Sequence, residues 1–231
     1  MAKHGKKYRK AKEQSGEQVF SVEKGLSRVK ELAFAKFDET VDVNVKIGID
    51  PAKSDQAVRG SVVLPHGTGK KARVIVFAKG EYADAAHKAG ADAVGMDDLI
   101  EKILGGWLEF EYAVATPDVM GAVGRLAKIL GPRGLLPNKK LGTVTFDVGD
   151  VVADIKSGRV FFKNDKSGLV HFSIGKVSFG EHNLKDNFMA FMKVLNASKP
   201  SSAKGQFIRK VSVSSTMGVG IALDLQEAIK A

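Results

Sequence analysis

The apolar pattern of this 231-residue chain changes texture twice, near residue 67 and near residue 158, and that double change constrains the fold more than any other feature. Between the two points, short apolar runs alternate with helical stretches. Val74–Phe77 is wholly apolar, as a strand covered on both faces should be. Helical spacing follows over 81–89 and over 97–104, with strand-like segments around Ala93-Val94 and over Tyr112–Ala115. Thr116-Pro117-Asp118 then opens a helix with Thr at the cap and Pro at the first helical position. Val119, Val123, Leu126, Ala127 and Leu130 form its stripe, and Gly131-Pro132 is expected to stop it. Strands alternating with helices predict a small Rossmann-like parallel α/β layer.

The flanks read differently. Ser21 is placed to cap a helix running to about Phe37, with Val22, Leu26, Val29 and Leu32 on its stripe. Val41, Val43, Val45, Ile47 and Ile49 then alternate with polar residues, a strand with one wet face, and a second strand covers 61–64. Behind the middle, 160–163 and 169–174 flank Asn164-Asp165-Lys166-Ser167-Gly168 and read as a hairpin. A helix over 183–197 buries Leu184, Phe188, Phe191 and Leu195, and strands are expected over 207–215 and 219–225. One helix and two strands at the front cannot close a core alone. The expected architecture is therefore α/β and α+β: a split α+β domain made of residues 1–66 and 158–231, and an inserted Rossmann-like α/β domain over 67–157. The two crossings, near Gly67–Gly69 and Gly158, are expected to act as a hinge.

Charge follows the same division. Residues 1–66 carry 13 Lys/Arg against 9 Asp/Glu, residues 158–231 carry 11 against 5, and residues 67–157 balance at 12 and 12. The net +10 thus belongs to the split domain, and a localised basic excess points to a polyanionic partner. The first dozen residues, with Lys3, Lys6, Lys7, Arg9, Lys10 and Lys12, read as a disordered basic arm. No apolar run follows them, as a secretory signal requires, and no segment approaches the roughly 18 apolar residues of a membrane span. A cytoplasmic protein without membrane contact is expected. The absence of cysteine excludes disulfides, thiolate zinc sites and cysteine nucleophiles.

Candidate chemistry is sparse. Gly67-Thr68-Gly69-Lys70 suggests a phosphate loop, but position 64 is Leu where Gly is needed, Lys71 stands where Ser or Thr should follow, and a strand comes next. No Gly-x-Gly-x-x-Gly follows a strand, so no dinucleotide cofactor is expected. The histidines show no metal-ligand spacing, and Asp97-Asp98 suits a helix start. Nothing assembles a nucleophile, base and oxyanion set. The polar side of 207–215 is more suggestive: Ile208, Lys210, Ser212 and Ser214 should oppose Phe207, Val211 and Val213, offering hydroxyl and ammonium groups to phosphates and riboses. His171, on the strand beside Ser173, is either an ordinary half-exposed residue or part of that surface.

Several blocks carry a resemblance. GPRGLLPNKKLGTVT (131–145), preceded by PDVMGAVGRLAKIL (117–130), resembles the signature of the family of large-subunit ribosomal protein one, found in bacteria at the mobile stalk beside the tRNA exit site. The MAKHGKKYRK start, AKFDETVDV (35–43), GSVVLPHGTGK (60–70), FKNDKSGLVH (162–171) and SSTMG (214–218) fit the same family in order. Lys139 departs from it, since Pro often stands there; the loop should be less stiff and more charged.

The resemblance implies a two-domain, non-enzymatic, cytoplasmic component of the large ribosomal subunit, monomeric off the ribosome and without cofactors. Its implied partners are large-subunit rRNA, exit-site tRNA and its own mRNA leader, the last making it a translational repressor. Motif by motif, it implies an RNA surface of Lys36, Phe37 and Thr40; of Lys166, Gly168 and His171; and of Ser214, Thr216, Met217 and Gly218. Arg133, Lys139 and Lys140 would form a secondary RNA or tRNA contact. Two other readings compete: a small-molecule enzyme using the α/β unit, and a nonspecific polyanion binder.

Overall fold

A computed structural model describes residues 5–16 and 18–229. From the N-terminus run α1 (Lys6–Ser15), β1 (Val19–Phe20), α2 (Val22–Glu31), β2 (Thr40–Ile47) and β3 (Arg59–Val63). The middle holds β4 (Val74–Phe77), α3 (Glu81–Lys88), β5 (Ala93–Gly95), α4 (Asp97–Leu104), β6 (Tyr112–Ala115), α5 (Met120–Val123), α6 (Ala127–Arg133) and α7 (Val148–Ser157). Then follow β7 (Arg159–Lys163), β8 (Leu169–Lys176), α8 (Glu181–Ala197), β9 (Ile208–Ser215), β10 (Ile221–Leu223) and α9 (Leu225–Ile229). The chain divides into two compact units, Met1–Gly69 with Val160–Ala231, and Lys70–Arg159. Among the described residues no helix is long and apolar enough to cross a membrane.

The first unit is a five-stranded sheet in the order β1-β10-β9-β2-β8, antiparallel except for the β1–β10 pair. The alternation of β2 decides which face is wet: Val41, Val43, Val45 and Ile47 are buried, while Thr40, Asp42, Asn44 and Lys46 remain partly open. On the apolar face lie α2 and α8, contributing Leu26, Val29, Leu184, Phe188, Phe191 and Leu195. Phe172 and Phe191 stack at 4.1 Å, and Phe162 meets both edge-on. Asn187 is wholly buried on α8, where it accepts from His66 N (3.1 Å) and donates to Gly67 O (2.9 Å) and Ile174 O (2.7 Å). One satisfied amide thus anchors the outgoing chain to β8.

The second unit has a parallel sheet, β5-β4-β6. Ile75 and Phe77 face a core with α4 and the segment 119–130, and α7 covers β4 and β6 with a stripe of Val148, Val151, Val152 and Ile155. Coverage on both sides explains why all four residues of β4 are buried.

Several expectations fail locally. Residues 6–15 are helix rather than a disordered arm: Tyr8, Ala11 and Ser15 share one face, with Ala11 and Ser15 buried and Tyr8 packed on the core. That stripe is sparse and lies among many lysines. The helix after Ser21 ends at Glu31, because Lys36 and Phe37 belong to a loop. Gly131-Pro132 do not stop their helix; Pro132 lies inside α6, which ends at Gly134 with φ 72°. The segment before it is broken into 3-10 and α turns, and Thr116 makes no side-chain cap. The 160–174 hairpin is one only in its turn, since β7 pairs with β3 in a separate two-stranded sheet while β8 joins β2. Ile208 is buried, because the β2–β9 register shifts between Lys46 and Ile47. Residues 225–229 are helix, and β10 is only three residues long.

Phe191→Ala should cost about 3–5 kcal/mol, the usual loss for a buried aromatic ring. Urea denaturation followed by circular dichroism measures it; a loss below about 1 kcal/mol would show that the ring stack is not part of the supporting core.

Candidate nucleic-acid interface

Because β2 lies between β8 and β9, its polar residues form cross-strand rows on the open face. His171, Asn44 and Ser212 make one row, Ser173, Asp42 and Ser214 a second, and Lys46 stands opposite Lys210 in a third. The rows are hydrogen-bonded: His171 Nδ1 lies 2.6 Å from Asn44 Oδ1, and Ser173 Oγ donates to Asp42 Oδ1 at 2.6 Å. An open depression of about 360 Å³ lies here, lined by Asp42, Asn44, His171, Ser173, Ser214 and Thr216 among others. His171 and the 214–216 segment, 43 or more positions apart in sequence, thus border one surface.

A buried carboxylate shapes one end of this face. Glu39 is 1% exposed; its Oε1 accepts from Ala35 N and its Oε2 from Met217 N, both at 2.9 Å. Burial works against its charge. The buried Ser215 hydroxyl, close by though outside good hydrogen-bond geometry, and the N–H groups of Met217, Ala35 and Phe34 outweigh that cost and hold the carboxyl below its ordinary value. Asp38 pins the same loop from outside by accepting from Ser178 N (3.1 Å) and Ser178 Oγ (2.8 Å). Lys36 and Phe37 are therefore displayed rather than buried, with Phe37 56% exposed. Thr40 receives Lys176 Nζ on its hydroxyl at 2.9 Å.

Across the ladder, Thr216 Oγ1 accepts from Thr40 N (2.9 Å) and donates to Thr40 O (3.3 Å), closing the end of the sheet. Met217 then projects, 53% exposed. A Cβ at Gly218 would meet Ser215 Oγ, which would have to turn away, so Gly218 packs closely within its own turn. In the 164–168 turn Asp165 Oδ1 accepts from Ser167 N (2.8 Å) and Leu169 N (2.7 Å). These bonds, the Leu169 one foremost, keep its carboxyl low despite partial desolvation. Lys166 is exposed, but Gly168 is buried under Ile49 and Pro51 with φ 70°, so it shapes the turn rather than its surface. Lys46 Nζ reaches Ser167 O and ties the turn to the sheet.

Arg133 and Lys139 lie in the second unit, both exposed, at the end of α6 and in a 3-10 turn. The side chain of Lys140, like Lys3 of the N-terminal arm, lies outside the described residues. The loop bearing Lys139 is closed by Asn138 N donating to Thr143 Oγ1 (2.8 Å) and docks on β6 through Ala115 N to Thr143 O (3.0 Å). Lys139 in place of Pro leaves this closure intact. Among the described residues no cluster of His, Asp or Glu is arranged to hold a metal.

The model of the Ribosomal protein L1p/L10e family matches residues 29–219. The chain belongs to that family. Proteins named large ribosomal subunit protein uL1 match it nearly end to end. That of Desulfotalea psychrophila is 53% identical over 97% of this chain and 96% of its own length. Those of Cutibacterium acnes and Thermus thermophilus are 55% and 54% identical, over 96% and 97% of this chain and 96% and 99% of their own lengths. Membership in the L1p/L10e family makes this a ribosomal protein and not an enzyme.

Sequence reasoning passed over Glu39, Asp42, Asn44 and Ser173. The last three were legible, since strict alternation on β2 and β8 places them on the face of His171 and Ser214. Glu39 was not, because one acid in a loop gives no sign of burial.

Glu39→Gln should cost about 1–3 kcal/mol, since an amide NH₂ would face a backbone donor and leave it unpaired. A lowered carboxyl contributes stability above its ordinary value of 4.5, and that contribution is lost as pH falls through the lower folded-state value. Wild type should therefore show an acid limb that Glu39→Gln flattens, measurable by thermal melts from pH 7 to 3, with faster amide exchange at Met217.

Proposed function

We propose that this protein is a structural component of the large ribosomal subunit that holds large-subunit rRNA through the polar face of its five-stranded sheet. The observation that carries the reading is the Thr216-Met217-Gly218 turn, which a buried carboxylate and a backbone-bridging threonine hold beside a hydrogen-bonding depression, with Met217 projecting. An unbranched thioether packs on sugar or base edges, while hydroxyl, amide and imidazole groups offer partners to riboses and phosphates. Lys36, Phe37, Thr40, Lys166, His171, Ser214, Thr216 and Met217 are the proposed contacts, with Gly168 and Gly218 giving their turns shape.

The finer reading has three parts. The rRNA site is an irregular junction at the mobile stalk near the tRNA exit site. The same surface takes a mimic of that junction on the protein's own mRNA leader, so excess protein represses its translation as a monomer. Arg133, Lys139 and Lys140 make a secondary contact with rRNA or exit-site tRNA. The protein acts on the cytoplasmic ribosome. The nearly full-length likeness to large ribosomal subunit proteins supports the large-subunit assignment on which these parts rest.

Met217→Asp should weaken binding to an rRNA stalk junction by about 1–3 kcal/mol, the range for losing one contact at a specific interface. Equal affinity of wild type for the junction and for a scrambled duplex of the same length would instead favour the nonspecific binder. A variant lacking residues 70–158, joined by a short glycine linker, should keep most of the junction preference. β3 and β7, the strands flanking the excised stretch, pair with each other, and the polar face lies wholly in the first unit. Loss of that preference in a folded deletion protein, measured by filter binding, would move the site into the second unit.

A further inference from the structure

Beside β10, towards the opposite edge of the sheet from β8 and its His171, lies a second groove of about 360 Å³. Its walls are the C-terminal turn of α1 with the segment to β1, bringing Lys12 and Gln18, and the stretch after the Met217 turn, bringing Gly220 and Ala222. Lys210 also lines it. Ala222 is paired with Ser212, and Ser212 with Asn44, so the groove continues the polar face across β10.

Two features separate it from the depression. Its side-chain charge is cationic: Lys12 and Lys210 are both exposed, and among the described residues neither has an acidic partner, whereas the depression contains Asp42. It also lacks the depression's tied rows of serine, asparagine and imidazole, and Val219, Gly220, Ile221 and Ala222 line its β10 side. Gly220 is exposed, with no side chain to keep a ligand from its backbone beside the two ammonium groups. Two point charges beside open backbone suit phosphate oxygens, while Gln18 and the half-buried Phe20 ring complete the lining. The order of α1 matters here. Burial of Ala11 and Ser15 fixes the helix on the first unit, so Lys12 is held in place instead of sampling solvent on a loose arm.

We propose that this groove is a phosphate-backbone track that continues the RNA surface past the Met217 turn and supplies sequence-independent affinity, while the depression and turn supply selectivity. The proposal rests on the RNA reading above. Its occupant is the sugar-phosphate strand leaving the recognised junction.

The test uses the full-length protein with Lys12→Ala/Lys210→Ala, a charge-keeping Lys12→Arg/Lys210→Arg control, and Met217→Asp, each titrated with the stalk junction and with a scrambled duplex over a range of potassium chloride. For the alanine pair, affinity should fall by the same factor for both RNAs, and the slope of log K against log salt should shrink by roughly 1.4–1.8, or about 0.7–0.9 per lost phosphate contact. The arginine pair should keep the wild-type slope. An unchanged slope in a folded alanine pair would overturn the proposal, as would a loss confined to the junction, which would make the groove part of the selective site. Failure of the RNA reading shows separately: wild type and Met217→Asp would then treat junction and duplex alike, whatever the alanine pair does.

Discussion

The pairing of β2 between β8 and β9 is the constraint on which the rest of the first unit depends. A strand from the front of the chain becomes an interior strand of a sheet, and its two neighbours lie more than 120 positions later. Neither half can bury its apolar face without the other. Val41, Val43 and Val45 need the α8 side chains, and Phe172 and Val213 need the flat bed that β2 completes. Such long-range pairing entails a large loop closure, but closure entropy grows only with the logarithm of loop length. The intervening residues also form a compact unit of their own, which lessens the disorder that must be lost.

The same pairing creates the polar face, since each residue that β2 buries places its neighbour outward. Asp42, Asn44 and Lys46 thus meet His171, Ser173, Ser212, Ser214 and Lys210 as a consequence of core formation. Glu39 converts this geometry into a shaped end. A charged carboxylate at 1% exposure survives because backbone N–H groups from two separate segments point at it. The loop of Lys36 and Phe37 and the turn of Met217 are therefore joined by an acceptor that neither displays. A surface built this way is pre-organised, and a partner that binds it need not supply the ordering free energy of those segments.

Legibility followed the length scale of each interaction. The two-unit division could be read because it rests on periodicity: period two in β2, continuous burial in β4, and the 3.6-residue stripe of α8. The α7 helix is equally legible in the spacing of Val148, Val151, Val152 and Ile155. What could not be read depended on partners far away in sequence. Ile208 turned inward through a register shift set by β2, and β7 left its hairpin for β3. Gly168 and Gly218 belong to motifs of the resemblance, yet Gly168 is buried with φ 70° and Gly218 packs against Ser215, so each has a role inside its own turn. A motif marks where a site is without saying which of its members face outward.

Electrostatics and recognition separate along the same lines. The net positive charge of the flanks suggested attraction to a polyanion, but the centre of the polar face is a hydrogen-bonded network around Asp42 and Asn44, with lysines only at its margins. Cations at the margins raise encounter rates and nonspecific affinity for any phosphate backbone. A neutral or acidic centre does the reverse: it penalises a partner that brings phosphate where a donor is required, and that penalty is a source of discrimination. In the proposed interface the residues that attract RNA and those that select it are therefore different, and the lysines that dominate the composition carry the least specific part.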